Sequence, residues 1–456
     1  MRVIIIGLGQ TGTMLADMAS KEGHDVIVVD SRRELIDKVT DLYSVSGVCG
    51  NGATKATLLK AGADTADVVI AMTPVDEVNL MISIIAKSCG AIYTAARVHL
   101  PEISCEEEYL KEEFKLDCII NSRMETALEI ARLLKLPGSV KADAFFGEDA
   151  AMLKIIVTKE NKLADAPVKN VRARFNGNIL IGCLIRDGKL IVPDGRFTLK
   201  ENDVIDAVVA SGEIEKIMVE LGASRRTVKK VMVIGGGTTG MYLAKELTAA
   251  GKLVTMIENS PERCRYLSEQ IPKAIVSYAD GTDTEEFLKE KISGNDAVVA
   301  LTGEDEKNLV TSLFAWSHGV GRVITKVNTS SYEGLLNKAN IQLTISPATI
   351  STDRFLSFIK NVAVYNDEGN DIQGLYQIAD GKAEAIEFIV YDNFVKKNVA
   401  IGAKEFTLKK DVMIAVIIRD GRFIIPDEKS MIRPGDHVVV IARANNGLNT
   451  INQIFR

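Results

Sequence analysis

The sequence predicts an α/β fold: tandem Rossmann-like parallel-sheet lobes, each followed by a small α+β lobe. Three observations predict it. Val3-Ile4-Ile5-Ile6-Gly7-Leu8-Gly9-Gln10-Thr11-Gly12 returns 228 positions later as Val231-Met232-Val233-Ile234-Gly235-Gly236-Gly237-Thr238-Thr239-Gly240. Within each half, apolar β-branched runs alternate with helical patterns, the mark of a parallel sheet covered on both faces. Late in each half the pattern changes to period-two strands about a tight turn, Ile185-Arg186-Asp187-Gly188-Lys189 and Ile418-Arg419-Asp420-Gly421-Arg422. One two-lobed unit has been duplicated in tandem.

Taken in order, the first repeat opens with a strand at Arg2–Ile6, a helix over Thr11–Lys21 and a strand at Asp25–Val29. A strand at Val68–Met72, a helix over Asp76–Ser88 and a strand at Ile92–Val98 follow, and a helix over Arg123–Leu134 closes the lobe. That helix is preceded by Ser122 and carries Glu125, a capping box in which hydroxyl and carboxylate satisfy orphan amides. Its counterpart begins Ser346-Pro347, a cap followed by proline at the first helical position. Met124, Ala127, Leu128, Ala131 and Leu134 form one apolar stripe on the closing helix, either buried within its own lobe or packed on a partner subunit as a crossover helix. Beyond it, Ile179–Arg186 and Lys189–Pro193 flank Asp187-Gly188, two residues that supply the positive φ of a type I′ hairpin, and Asp420-Gly421 repeats the arrangement. The expected domains run over 1–135, 141–222, 228–360 and 365–456, with a polar linker at Ser224-Arg225-Arg226-Thr227.

Composition narrows the function. With 456 residues, 46% hydrophobic and 25% charged, the chain is long enough for several cores and unlike a disordered tail or a collagen-like fibre. A net charge of -6 argues against a nucleic-acid binder, which needs a basic face to neutralise phosphates. The best apolar runs, such as Ile179 to Ile185, are strand-sized, so no membrane span is expected. The start at Met1 runs into the glycine motif without a cleavage site, and Cys49, Cys89, Cys105, Cys118, Cys183 and Cys264 form no CxxC pair; both features fit a cytoplasmic, reducing compartment.

Each GxGxxG follows a predicted strand and opens a predicted helix. Gly7 and Gly235 permit the tight turn, Gly9 and Gly237 let amides approach a pyrophosphate, and Gly12 and Gly240 let helix and strand pack; the helix N-terminus then faces the phosphates. Gln10 belongs to the first loop, and Thr11, Thr238 and Thr239 offer further hydroxyl donors. Asp30 and Glu258, 23 positions after the first glycine of each motif, stand where a carboxylate binds ribose hydroxyls and repels a 2′-phosphate, which favours NAD(H) over NADP(H). Arg32 and Arg33 complicate the first copy, because a guanidinium there can take a phosphate or stack on adenine; Ser260 and Pro261 replace them in the second. Different nucleotides in the two halves are therefore expected to be possible. At other strand ends, Thr73 and Thr302 precede first-turn acids and read as helix N-caps that also face the ligand edge. Arg97 and Lys326 either neutralise phosphates or pair with an acid, and Asn51-Gly52 and Asp280-Gly281 either approach the adenosine or simply make turns.

No HExxH, GxSxG or P-loop spelling is present, and none of the histidines His24, His99, His318 and His437 is repeated between the halves. No catalytic or metal-binding residue is therefore assigned. The residues alone leave three readings: a nucleotide sensor, an NAD-dependent oxidoreductase with duplicated Rossmann domains, and a scaffold with vestigial loops.

The pattern resembles the TrkA family, the peripheral regulatory subunits of Trk-type potassium uptake systems. The resemblance rests on Gly7-Leu8-Gly9-Gln10-Thr11-Gly12 with Asp30, Gly235-Gly236-Gly237-Thr238-Thr239-Gly240 with Glu258, Ala300-Leu301-Thr302 running into Glu304-Asp305-Glu306, Ala96-Arg97-Val98, and Gly381-Lys382-Ala383-Glu384-Ala385-Ile386-Glu387. It departs at Asn121-Ser122, where the Ser-Pro of Ser346-Pro347 is missing. It implies tandem RCK-type (KTN) domains in a homo-oligomeric gating ring on the inner face of the cell membrane. The implied partner is a potassium-translocating membrane subunit of the TrkH, TrkG or KtrB kind. Regulation by NAD(H), with ATP or ADP as further ligands, is implied in place of turnover.

Overall fold

The computed structural model describes residues 1–135, 141–146, 150–222, 228–280, 292–329, 332, 343–365, 371–379, 381–444 and 446–456. In the first repeat β1 (Arg2–Ile6), α1 (Gln10–Lys21), β2 (Asp25–Asp30), α2 (Arg33–Leu42), β3 (Ser46–Cys49), α3 (Lys55–Lys60), β4 (Val68–Ala71), α4 (Asp76–Cys89), β5 (Tyr93–Val98), α5 (Pro101–Cys105), α6 (Glu107–Phe114) and β6 (Cys118–Asn121) alternate, and α7 (Ser122–Lys135) follows. The six strands are ordered β3-β2-β1-β4-β5-β6. Parallel pairing of β1 with both β2 and β4 puts the change of chain direction just beyond Ile6, where the first glycine loop begins. Burial explains the strands: Val3, Ile4, Ile5, Val68, Val69 and Ile70 are fully buried, so both faces of each strand are covered.

The chain continues through β7 (Lys141–Phe146), β8 (Ala150–Ile156), α8 (Val168–Arg174), β9 (Ile179–Arg186), β10 (Lys189–Ile191), β11 (Val204–Ala210) and α9 (Ile214–Glu220). The second repeat supplies β12 (Lys230–Ile234), α10 (Thr238–Ala249), β13 (Leu253–Glu258), α11 (Pro261–Gln270), β14 (Ile275–Tyr278), β15 (Ala297–Ala300), α12 (Asp305–Ser317), β16 (Arg322–Lys326), β17 (Leu343–Ile345) and α13 (Pro347–Tyr365). Its sheet has the same order as the first, β14-β13-β12-β15-β16-β17. The antiparallel strands β18 (Ile372–Ile378), β19 (Ala383–Ile389), β20 (Val412–Arg419), β21 (Arg422–Ile424) and β22 (His437–Arg443) follow, and a 3-10 helix at Ile451–Ile454 comes after them. Both hairpins form as their sequences require, with φ of 50° and 73° at Asp187 and Gly188 and 50° and 70° at Asp420 and Gly421.

The compact units are not the repeats. One unit joins residues 1–135 to 227–362 and the other joins 136–226 to 363–456, so like lobes associate with like. In the first unit the closing helices are exchanged. Phe355, Leu356, Ile359 and Val362 of α13 complete the core around Val3, Ile5, Leu15 and Ile70 of the first lobe, while α7 packs on α10 of the second. Ala127, Ala131 and Leu134 of the expected stripe are buried, and the surface they meet is the other repeat of the same chain. Both ends of α7 are pinned there: Asn121 Nδ2 donates to Tyr242 Oη at 3.0 Å, and Arg322 Nη1 donates to the Leu133 carbonyl at 3.0 Å. An Arg354–Glu125 ion pair at 2.7 Å ties the exchanged helices to each other.

In the second unit, Met152, Cys183 and Val208 of the first small lobe share one core with Ala385, Val416 and Ile441 of the second. Small side chains let the sheets approach: a Cβ at Gly182 would stand 2.2 Å from Ile441 Cδ1. Arg186 grips Asp203 twice, at 2.7 and 2.6 Å, and Arg419 grips Asp436 at 2.8 and 2.7 Å, so each hairpin is fastened by a repeated, buried ion pair. The linker at 224–227 lies outside the described residues.

The capping of α7 differs from expectation. Asn121, already fixed in β6, accepts from the Arg123 and Met124 amides at 3.1 and 3.0 Å, which leaves Ser122 as the first helical residue. Ser122 Oγ is buried without a hydrogen-bond partner among the described residues, and Glu125 is drawn to Arg354 across the helices. At the second repeat Ser346 Oγ does accept from the Thr349 amide at 3.3 Å.

Candidate functional site

The two glycine loops separate what the backbone needs from what a ligand needs. Gly7 and Gly235 sit at φ of +99° and +106°, and a Cβ there would stand 2.9 and 2.8 Å from the Met72 and Leu301 carbonyl oxygens. At Gly12 and Gly240 a Cβ would fall 2.0 and 2.2 Å from the Gly7 and Gly235 carbonyl oxygens. These four are demanded by the fold itself. Gly9 and Gly237 are not. They precede α1 and α10 with φ of -71° and -63°, which any residue adopts. A Cβ at either would meet nothing within 4 Å. The glycine at these positions leaves open space in front of a helix N-terminus, which fits the phosphates of a nucleotide.

The acids close the loops from below. Asp30 Oδ2 accepts from the Leu8 amide at 2.9 Å, and Oδ1 accepts from the Arg32 amide and Nε at 2.9 and 3.2 Å. Burial would raise the Asp30 carboxyl, but those donors outweigh it and hold the group below the usual carboxylate range. Glu258 repeats the arrangement, accepting from the Gly236 amide at 2.8 Å and the Ser260 amide at 2.9 Å. Each carboxylate thus orients its loop and retains lone pairs that can accept further hydrogen bonds. Arg32 is engaged with Asp30, Arg33 pairs with Asp37 on its own helix, and Arg263 donates to the Gly236 carbonyl at 2.8 Å.

Thr73 and Thr302 are not helix caps. Val75 and Glu304 occupy the cap positions, and the threonine hydroxyls fold back on them: Thr73 Oγ1 meets the Val75 amide at 3.4 Å and Thr302 Oγ1 the Glu304 amide at 3.4 Å. The residues that organise this corner are Asn79 and Asn308, both fully buried. Asn79 accepts from the Thr73 amide at 2.7 Å and donates to the Thr73 and Arg97 carbonyls; Asn308 does the same for Thr302 and Lys326. Asp76 and Asp305 tie down the following loops through the amides of His99 and Leu100 and of Asn328 and Thr329. The only signal for these four in the sequence is that Asp-Glu-x-Asn recurs in both repeats.

Arg97 turns inward, donating to the Met72 and Thr73 carbonyls at 2.8 and 3.1 Å, so it braces the wall behind the first loop. Lys326 is also largely buried, which lowers its pKa. Asn51 makes an Asx turn to the Ala53 amide at 2.9 Å, and Gly52 is required because a Cβ would lie 2.4 Å from Ile6 Cγ2. At the second loop a cleft of about 290 Å³ brings together Gly235, Gly237, Glu258, Asp280, Thr302 and Lys307. Thr238, Thr239 and Gly240 open α10 beside it, Gln10 and Thr11 open α1 in the first lobe, and Gly281 lies outside the described residues. Across the lobes, Gln10 Nε2 donates to the Asn328 carbonyl, and Arg123 Nη1 donates to Thr238 Oγ1 at 3.0 Å. Sequence reasoning missed Lys307 and Arg123, because neither belongs to the glycine signature. Among the described residues no cluster of side chains could hold a metal ion, and no helix is long and apolar enough to cross a membrane.

A protein-family model, the TrkA-N domain, matches residues 3–122 and again 231–347. The chain is 28% identical over its full length to the whole of a Trk system potassium uptake protein TrkA homolog of Archaeoglobus fulgidus. It is 26% identical to the Trk system potassium uptake protein TrkA of Vibrio alginolyticus, covering 100% of this chain and 99% of that one. Among solved structures, the GsuK RCK domain matches with a TM-score of 0.62 at 16% identity, covering 99% of this chain and 93% of the other. The GsuK channel bound to NAD matches with the same TM-score at 14% identity, covering 99% and 77%.

Proposed function

Given that the chain belongs to the TrkA-N domain family, we propose that it is the nucleotide-sensing regulatory subunit of a potassium uptake system, binding NAD(H) at its glycine loops, with ATP or ADP as alternative ligands. Its full-length relatives are named as potassium uptake proteins, and its fold is that of RCK domains, one of them in a channel solved with NAD. In the assembly it lies at the inner membrane face as a ring of several copies beneath a potassium-translocating subunit of the TrkH, TrkG or KtrB kind. One observation carries the binding reading. Gly9 and Gly237 have backbone angles that any residue adopts and a Cβ at either meets no atom within 4 Å, so a ligand's need for room explains the glycine.

The residues would act by holding, not by reacting. The amides at the starts of α1 and α10 face the phosphates, while Asp30 and Glu258 take ribose hydroxyls with oxygens that already fix the Leu8 and Gly236 amides. A ligand touching an acid therefore pulls on the loop. Because α7 and α13 are exchanged, a shift in one lobe strains a helix belonging to the other repeat. Such a ligand moves the equilibrium only by its differential affinity for two arrangements, typically about 1–3 kcal/mol per effector.

The test is nucleotide binding by Gly9→Leu, Gly237→Leu and the double variant. The replacements should leave the fold intact by circular dichroism. Each single variant is expected to lose about half of the NADH bound at saturation and the double variant nearly all of it. Undiminished binding by a folded double variant would sink the reading. The oxidoreductase alternative is separated by nicotinamide absorbance: sustained turnover with candidate substrates favours the enzyme, and binding without turnover favours the sensor.

A further inference from the structure

The two cradles are built to one plan but are not equally charged. α7 leaves the first lobe, lies on α10, and is pinned at both ends by Tyr242 and Arg322. Its second residue, Arg123, is thereby held at the mouth of the second cradle, with Nη1 3.0 Å from the hydroxyl of Thr238, the residue after Gly237. The side chain is exposed, and among the described residues a neutral hydroxyl is the only hydrogen-bond acceptor of its guanidinium. Lys307 lines the cleft beside Thr238, ion-paired with Glu304 at 2.8 Å, and Glu258 and Asp280 line it as well. At the matching positions of the first cradle the sequence has Pro347 and Val78, which carry no charge and no donor.

Resting on the nucleotide-binding reading above, we propose that Arg123 is a specificity-determining residue of the second cradle, where it reads a free terminal phosphate. The second cradle then prefers a nucleoside 5′-diphosphate or triphosphate, and the first keeps a dinucleotide. The pyrophosphate of a dinucleotide is esterified at both ends, so it offers no terminal oxygens. A terminal phosphate adds between one and two negative charges and presents unesterified oxygens to a planar guanidinium fork. Phosphates seated against Gly237 and Thr238 come within reach of Arg123, which exchanges a neutral acceptor for a charged one. Burial disfavours the charged forms of Arg97 and Lys326, Asp76 and Asp305 respectively oppose that, and the charge of Arg123 adds a smaller repulsion. The acids among them, Asp76 and Asp305, are already committed to loop amides, and Arg97 Nε is buried without a partner. The reader of the second site thus comes from the first repeat.

The experiment uses the full chain carrying Gly9→Leu, so that only the second cradle reports, and titrates it with ADP, ADP-ribose and NAD. Arg123→Gln is expected to weaken ADP about tenfold or more while NAD and ADP-ribose change less than about threefold. Arg123→Lys should recover part of the ADP affinity, a rescue that a merely structural loss would not show. Equal weakening of all three ligands, or no change in ADP, would overturn the proposal while leaving nucleotide binding itself intact. If the Gly9→Leu chain with Arg123 present binds none of them, the binding reading falls as well.

Discussion

Asn79 carries more of the first lobe than its size suggests. Its fully buried amide bonds one donor and two acceptors of the chain, and alanine would remove all three bonds. Asn79→Ala is expected to cost about 2–3 kcal/mol in chemical denaturation; a loss within error would show that water substitutes freely. Asp203 makes a second test. Burial would raise its carboxyl, yet Arg186 and the Lys200 amide hold it below the ordinary range. A depressed folded value contributes stability that is present above the unfolded value and lost as pH falls through the folded one. Asp203→Asn should therefore cost about 3 kcal/mol at pH 7, with the gap to the parent closing below about pH 4; a pH-independent gap would refute the argument. At this scale the sequence showed which letters recur, including the glycines, Asp30 and Glu258. Which hydroxyl caps which helix stayed hidden, because Asn121 and Ser122 are both good caps and only the end of β6 decides between them.

The exchanged helices are where elements can be probed. Phe355 is fully buried in the core of the first lobe although it belongs to the second repeat. Phe355→Ala should cost about 3–5 kcal/mol, and hydrogen exchange should show the lost protection in β1 and β2; loss confined to β12 and β13 would contradict the exchange. Glu129 on α7 is held above the usual carboxylate range by burial, against the pull of Arg132 and Arg354. A raised folded value means that ionisation as pH rises costs stability. Glu129→Gln should accordingly melt higher relative to the parent at pH 8 than at about pH 4.5, and a constant difference would count against it. The longer strands and helices were legible from their periods, down to Asp187-Gly188, whereas α2, β3, α3, α5, α6 and β6 were not among the expected elements. The partner of the α7 stripe was not, since an apolar face states that it is buried and is silent on what covers it.

For the whole molecule, tandem duplication was plain in the sequence, while the sorting of like lobes into two units was not. Nothing local distinguishes a lobe that packs on its neighbour from one that packs on its twin. Residues 1–226 and 227–456 made as two separate chains should find each other and co-elute; halves that remain apart and melt as high as the intact protein would be inconsistent with shared cores. The trade of closing helices also bears on how the molecule came to be. In a pair of identical subunits every change is made twice, on both sides of the symmetry axis. Joined in one polypeptide, the twins are free to drift, and an arginine at one crossing can face a proline at the other.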